Sequence, residues 1–194
     1  MGLKSLLDRR PIVVALAGPN GAGKSTFFDA HLADSGLYFV NADVLALLLG
    51  MGPYEAAKKA DAFRRELVGA RESFIFETVL SDPVGDKLKF LRETEKAGYT
   101  VLLVFIGIAG PEISDERVAM RVSRGGHDVP PDKLIERFPR TMNNLRQALV
   151  ELSNVWVYDH SDLDRGYRLV ATRENGRKID LRDPIPEWLR KLLP

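Results

Sequence analysis

The stretch Ile12 to Thr26, IVVALAGPNGAGKST, constrains this chain more than any other. An apolar run, Ile12 to Ala17, leads into a glycine-rich turn, and Lys24-Ser25-Thr26 then opens a helical pattern. Gly18, Gly23, Lys24 and Ser25 fill the spacing G-x-x-x-x-G-K-[ST]. Glycines at 18, 21 and 23 permit backbone angles that a side chain forbids, so the loop can turn its N–H groups onto a phosphate. The predicted cradle is Gly18, Pro19, Asn20, Gly21, Ala22, Gly23, Lys24, Ser25 and Thr26. Lys24 supplies a charge to the β- and γ-phosphates, the Ser25 hydroxyl can ligate Mg²⁺, and the helix points its positive end at the anion. The motif implies ATP or another nucleoside triphosphate as ligand and leaves the reaction open.

The rest of the chain alternates strand and helix patterns. Predicted strands are Ile12 to Ala17, Leu37 to Val40, Ser73 to Phe76, Tyr99 to Ile108 and Asn154 to Tyr158. Between them lie helical stretches at Lys24 to Leu32, Val44 to Leu49 and Tyr54 to Glu72, where Ala56, Ala60, Phe63, Leu67 and Ala70 share a face. The cations Lys58, Lys59, Arg64, Arg65 and Arg71 read mainly as a solvated face. Asp82 and Pro83 read as an N-cap and first-turn proline of a helix that Gly98 stops. Ile113 to Arg124 is an arginine-studded helix, Gly125 to Pro130 a break, and Leu134 to Leu152 a helix that Pro139 should kink or split. Glu174-Asn175-Gly176 marks a hairpin between Tyr167 to Ala171 and Arg177 to Leu181, and Pro184 to Leu193 is a short helix. This order predicts an α/β fold of the P-loop NTPase class. It has a mostly parallel central sheet flanked by helices, a helical arginine-rich lid over about 112–140, and a C-terminal hairpin. No repeat or linker divides residues 1–194, so a single kinase-like domain is expected.

Composition narrows the class. The formal net charge is +1, which gives no bulk electrostatic case for nucleic acid or membrane. With no cysteine, disulfides and thiolate metal sites are excluded, and the three scattered histidines make no metal site. No apolar run reaches membrane-spanning length and the N-terminus has no secretory pattern, so a cytoplasmic protein is expected.

The guanine-reading N-K-x-D sequence of GTPases is absent, and the strand Tyr99 to Ile108 carries no acid, so the strand ending of transporter-type ATPases is missing there. A small kinase layout remains. Phosphoryl transfer needs positioning and charge neutralisation: a carboxylate near the acceptor hydroxyl, Mg²⁺ ligands and arginines over the phosphates. Asp43 and Glu77 follow consecutive apolar strands, at the crevice where open α/β sheets bind ligands. One can orient or deprotonate a hydroxyl; the other can hold acceptor hydroxyls or water on Mg²⁺. An N-cap role for Asp43 and a surface position for Glu77 are the competing readings. Arg117, Arg121 and Arg124 recur at helical spacing, with Arg137 and Arg140 beyond the glycine pair, and suit a lid that closes on the transferring phosphate.

Four ordered segments also carry a family resemblance: GPNGAGKST, Val40-Asn41-Ala42-Asp43, Phe74-Ile75-Phe76-Glu77-Thr78-Val79-Leu80-Ser81, and ERVAMRVSRGGHDVP with FPRTMNNL. Together, across roughly Ile12 to Leu152, they resemble the zeta toxins, kinases that phosphorylate an amino-sugar hydroxyl of UDP-N-acetylglucosamine and are held inactive by a small helical antitoxin. The resemblance implies that Lys24 and Ser25 bind ATP and Mg²⁺, that Asp43 is the base, that Glu77 is the acid of the substrate site, and that Arg117 lies at the phosphates. For the family's second lid arginine, Arg121, Arg124 and His127 all lie close. Val79-Leu80-Ser81 stands where the family has a glycine-rich segment. The expected function is ATP- and Mg²⁺-dependent phosphorylation of a small-molecule hydroxyl, with a UDP-amino sugar as acceptor. The alternative is an ATPase switch whose output is a partner protein.

Overall fold

The computed structural model describes residues 3–123 and 129–193. One seven-stranded sheet organises it, in the order β2-β3-β1-β4-β5-β6-β7. The strands are β1 (Ile12–Ala17), β2 (Tyr38–Val40), β3 (Phe74–Thr78), β4 (Thr100–Gly107), β5 (Val155–Asp159), β6 (Arg168–Arg173) and β7 (Asp180–Leu181). β1 to β5 are mutually parallel, and β6 and β7 add antiparallel at one edge. The helices are α1 (Leu3–Leu7), α2 (Lys24–His31), α3 (Ala42–Leu49), α4 (Pro53–Gly69), α5 (Asp86–Lys96), α6 (Pro111–Val122), α7 (Pro131–Glu151) and α8 (Glu187–Arg190). This is the α/β architecture that alternating strand and helix patterns predict.

β1 is buried along its whole length because both faces of the sheet are covered. Val13, Ala15 and Ala17 face a core built with Phe74, Phe76, Leu91, Leu145 and Leu149, on the side of α4, α5 and α7. Ile12, Val14 and Leu16 face the opposite core with Leu6, Phe27, Leu32 and Trp156, on the side of α1 and α2. β3 and β4 flank β1, so the strand ends at Ala17, Thr78 and Gly107 share one edge. That edge is where the phosphate loop leaves β1.

Besides shifts of one to three residues at element ends, the structure departs from the sequence reading in four elements. β3 continues through Glu77 and Thr78, paired to Leu16 and Ala17, so Glu77 belongs to the strand itself. α5 begins at Asp86 behind Gly85, and Asp82 is not its N-cap; the Asp82 carboxylate instead accepts the Lys87 N–H at 3.4 Å from the preceding loop. α7 runs unbroken through Pro139. Burial of Leu134 before the proline and of Thr141, Met142, Asn144 and Leu145 after it holds the helix together across one missing backbone bond. α4 turns Ala56, Ala60, Arg64 and Leu67 inward, whereas Phe63 is 43% exposed. The hairpin forms with Asn175 and Gly176 at positive φ in a turn closed by the Arg177 N–H on the Glu174 carbonyl, but its strands pair only at Ala171–Leu181 and Thr172–Asp180, so the second strand is shorter than expected.

Candidate active site

The phosphate loop is shaped by its neighbours. Gly18 has φ +144°, and a Cβ there would lie 2.2 Å from the Ile106 carbonyl oxygen. Only glycine lets β1 turn so close to β4. Gly23 has φ +92° and caps α2 without a side chain. The first-turn N–H groups of α2 therefore have no intrahelical partner and stand ready for an anion. The loop is held from behind by residues far away in sequence. Ser114 donates to the Asn20 carbonyl, His160 Nδ1 donates to the Ala22 carbonyl at 2.8 Å, and Tyr167 donates to the Gly23 carbonyl at 2.7 Å. The Tyr167 and His160 rings stack at 4.0 Å. Burial lowers the His160 pKa, which keeps the ring neutral as a single N–H donor.

Lys24 is buried, and its ammonium donates to the carbonyls of Gly18 and Pro19, 3.0 Å each. It also lies 3.7 Å from Glu77 Oε1. The other Glu77 oxygen accepts from Ser25 Oγ at 3.1 Å and from Asn41 Nδ2 at 3.0 Å. Asn41 in turn caps α3, its Oδ1 accepting the N–H of Asp43 at 2.8 Å and of Val44 at 3.3 Å. Asn41, not Asp43, is thus the N-cap, which leaves the Asp43 carboxylate exposed in the first turn. One carboxylate, Glu77, therefore joins the phosphate lysine, the serine hydroxyl and the cap that presents Asp43.

Asp43 and Glu77 line the same cavity, of about 250 Å³, with Thr78, Ser81, Asp61, Arg64, Lys87 and Arg137. Arg117, from α6, donates to the Gly21 carbonyl at 3.4 Å and the Ser161 carbonyl at 3.1 Å, and so braces the loop it was expected to serve. Arg137 borders both this cavity and the crevice at Pro19 and Asn20. The side chain of Arg121, together with Arg124 and His127, lies outside the described residues. Arg140 pairs with Glu136 one turn earlier on α7. The hydroxyl of Ser25 and the carboxylate beside it form a hard oxygen donor set that fits Mg²⁺. No group of three acids or histidines suited to a metal occurs among the described residues.

The segment after β3 is formed without glycine. Leu80 takes φ +60° and is buried. Its conformation is held by Thr78 Oγ1, which accepts the Leu80 N–H at 3.1 Å. From α7, Asn144 donates to the carbonyls of Leu80 and Asp82 at 2.9 and 3.0 Å, and Thr141 donates to that of Val79 at 3.1 Å. Sequence reasoning missed Ser114, Asn41, Asn144, His160 and Tyr167. Asn41 and His160 carried a usable signal, since each directly follows a strand at the ligand-binding edge. It also misplaced Arg64, which is 5% exposed rather than on the solvated face.

A family model for zeta toxins matches residues 55–170, more than half of the chain. The chain belongs to the zeta toxin family. No curated relative matches its sequence. Among solved structures, the crystal structure of AvrRxo1-ORF1:-ORF2 with ATP matches at 20% identity and a TM-score of 0.72, over 97% of this chain and 65% of the other. The zeta-family chain thus spans about two thirds of that relative. The PezAT chromosomal toxin–antitoxin system of Streptococcus pneumoniae matches at 18% identity and a TM-score of 0.58, over 82% of this chain and 71% of the other. A gluconokinase from Sinorhizobium meliloti matches at 20% identity and a TM-score of 0.51, over 79% and 86%. The fold of this zeta-family chain is thus that of the P-loop kinases. No helix among the described residues is long and apolar enough to cross a membrane.

Proposed function

We propose that this chain is an ATP- and Mg²⁺-dependent small-molecule kinase that transfers the γ-phosphoryl group of ATP to a hydroxyl. The observation that carries this reading is the position of Glu77, bonded to Ser25 and Asn41 and paired with Lys24. A switch ATPase also keeps an acid beside the phosphate-loop serine; what it does not need is a second carboxylate, Asp43, exposed in the same cavity as Glu77.

Lys24 and the first-turn amides of α2 hold the β- and γ-phosphates. Ser25, with Glu77 beside it, would hold Mg²⁺, which supplies charge neutralisation on the phosphate oxygens when bound. Asp43 accepts the proton of the acceptor hydroxyl as its oxygen bonds to the γ-phosphorus and the bond to ADP breaks. Arg117 keeps the loop in shape, and Arg121 and Arg124 are assigned to the lid over the phosphates. The family relation makes a UDP-amino sugar, such as UDP-N-acetylglucosamine, the first acceptor to test. Two structural relatives are described as a two-component complex and a toxin–antitoxin system, and a small helical antitoxin is proposed as partner here as well.

The test is incubation with Mg²⁺ and γ-labelled ATP over a panel of UDP-sugars, nucleosides and simple sugars. Label is expected on a sugar hydroxyl. Asp43→Ala should remove the transfer by at least about a hundredfold while ATP affinity stays within a few-fold. Label released only as free phosphate, equally by both proteins, overturns the kinase reading in favour of a switch.

A further inference from the structure

A cleft of about 630 Å³ lies between α7 and the C-terminal segment, over the ends of β4 and β5 at Ala109, Asp159 and Ser161. It is more than twice the size of the cavity of Asp43 and Glu77. Small-molecule sites are clefts of about 300–1,000 Å³ with apolar walls and a few placed polar groups. Among the described residues, none of the phosphate loop borders the cleft, nor does Asp43, Glu77 or Arg117.

The walls follow from helix spacing. Phe138, Met142 and Arg146 recur every four residues and so share one stripe of α7. Met142 is buried, Phe138 is half-buried, and Arg146 stands exposed at the end of the stripe. The facing wall is Trp188 of α8, with Leu192 just beyond it. The indole is fixed in place. A Cβ on Gly107 would lie 2.2 Å from its ring, and its Nε1 donates to Asp159. Phe138 also borders the crevice at Pro19 and Asn20, and so stands between the cleft and the phosphate loop.

The charged groups of the cleft are matched, with one exception. Asp159 is taken up by Trp188, Ser161 and Arg168. Glu187 pairs with Lys191 one turn later at 2.8 Å. Arg146 makes no hydrogen bond or ion pair among the described residues. The cleft is thus an apolar slot between two aromatic walls, with one uncompensated cation at its rim. A guanidinium presents parallel N–H groups that match a carboxylate.

We propose that this cleft is a second small-molecule site, which takes a flat apolar carboxylic acid with its body between Phe138 and Trp188 and its carboxylate on Arg146. The site is independent of the kinase reading. If the cleft is only slack packing around α8, apolar compounds enter it without regard to charge, or not at all.

The probes are 1-naphthoate and biphenyl-4-carboxylate, with 1-naphthamide and 1-naphthylmethylamine as neutral and cationic counterparts. Each is titrated calorimetrically into the full chain, into Arg146→Gln and into Ala109→Trp, with folding checked by circular dichroism. Both substitutions are at exposed positions, and the second narrows the mouth of the cleft. In parallel, heteronuclear NMR follows the indole N–H resonances of Trp156 and Trp188, which a Trp156→Phe variant tells apart. At least one of the two acids is expected to bind one-to-one, shifting the Trp188 N–H and leaving that of Trp156 in place. Arg146→Gln should weaken it about tenfold or more and bring it level with the amide. Ala109→Trp should weaken acid and amide alike. Binding should survive saturation of the phosphate loop with Mg²⁺ and a non-hydrolysable ATP analogue. Failure of both acids to bind at millimolar concentration, equal binding of the amide or the amine to wild type, or unchanged binding in either folded variant overturns the proposal. Displacement by the ATP analogue overturns it too, since the cleft would then be part of the nucleotide site.

Discussion

At the scale of single residues, Gly23 shows how tightly the phosphate loop is specified. A Cβ at this position would meet Tyr167 Oη at 2.7 Å and His160 Nδ1 at 2.9 Å, in a backbone with φ +92°. Gly23→Ala should therefore push apart the two side chains that hold the loop from behind. The strain is of order 1–3 kcal/mol, and affinity for a fluorescent ATP analogue should fall by about tenfold or more. The loop was legible in the sequence because its signal is local: four residues at fixed spacing and an apolar run before them. The partnership of Glu77 with Lys24 and Ser25 was not, because it exists only once β3 lies beside β1. Arg64 was misplaced for a related reason. The periodicity rule assigns a helix face by counting apolar residues, and a guanidinium that buries itself against a phenylalanine ring and a carboxylate breaks that count.

Among elements, α7 has the widest reach. It packs Leu134, Met142, Leu145 and Leu149 into the core and clamps the turn after β3 through Thr141 and Asn144. Asn144→Ala leaves the Leu80 and Asp82 carbonyls without this donor, beside a leucine at positive φ. We expect a loss of about 2 kcal/mol in unfolding free energy. The KM for the acceptor should rise severalfold and more than that for ATP, because the clamped turn borders the cavity of Asp43 at Thr78, Val79 and Ser81 and meets the phosphate loop only at Val79. Denaturant unfolding and steady-state kinetics on one variant check both halves. The start of α5 was misread for the same tertiary reason. Asp82-Pro83 has the composition of a helix start, but α7 holds this turn open for three more residues before Gly85 caps the helix.

Across the whole molecule, the C-terminal segment closes onto the ligand edge through Asp159. Its carboxylate accepts from Trp188 Nε1 at 2.9 Å and from Ser161 Oγ at 2.6 Å, and pairs with Arg168 at 3.0 Å. Burial alone would raise the Asp159 pKa, but these hydrogen bonds bring it below the ordinary value. His160 beside it is lowered, mainly by burial. Both native pKa values lie below the unfolded ones, so in acid the unfolded chain takes up protons first, and both contributions are present at neutral pH and lost as pH falls. Loss at His160 begins on falling below about 6.5 and at Asp159 below about 4. The melting temperature should hold above pH 7 and decline in two stages on acidification. His160→Gln, which keeps an N–H for the Ala22 carbonyl, should remove the upper stage.

The register of β1 against β3 sets Leu16 opposite Glu77 and Ala17 opposite Thr78. The spacing between the nucleotide side and the acceptor side is therefore written in the backbone ladder of two interior strands. Amides in that ladder are expected to exchange with solvent only when the molecule opens as a whole, and those of the short β7 and the turns around it sooner, which native-state hydrogen exchange checks. The candidate site thus has one of its carboxylates, Glu77, on an interior strand. The carboxylate of Glu77 is expected to keep its place beside Ser25 while the periphery fluctuates.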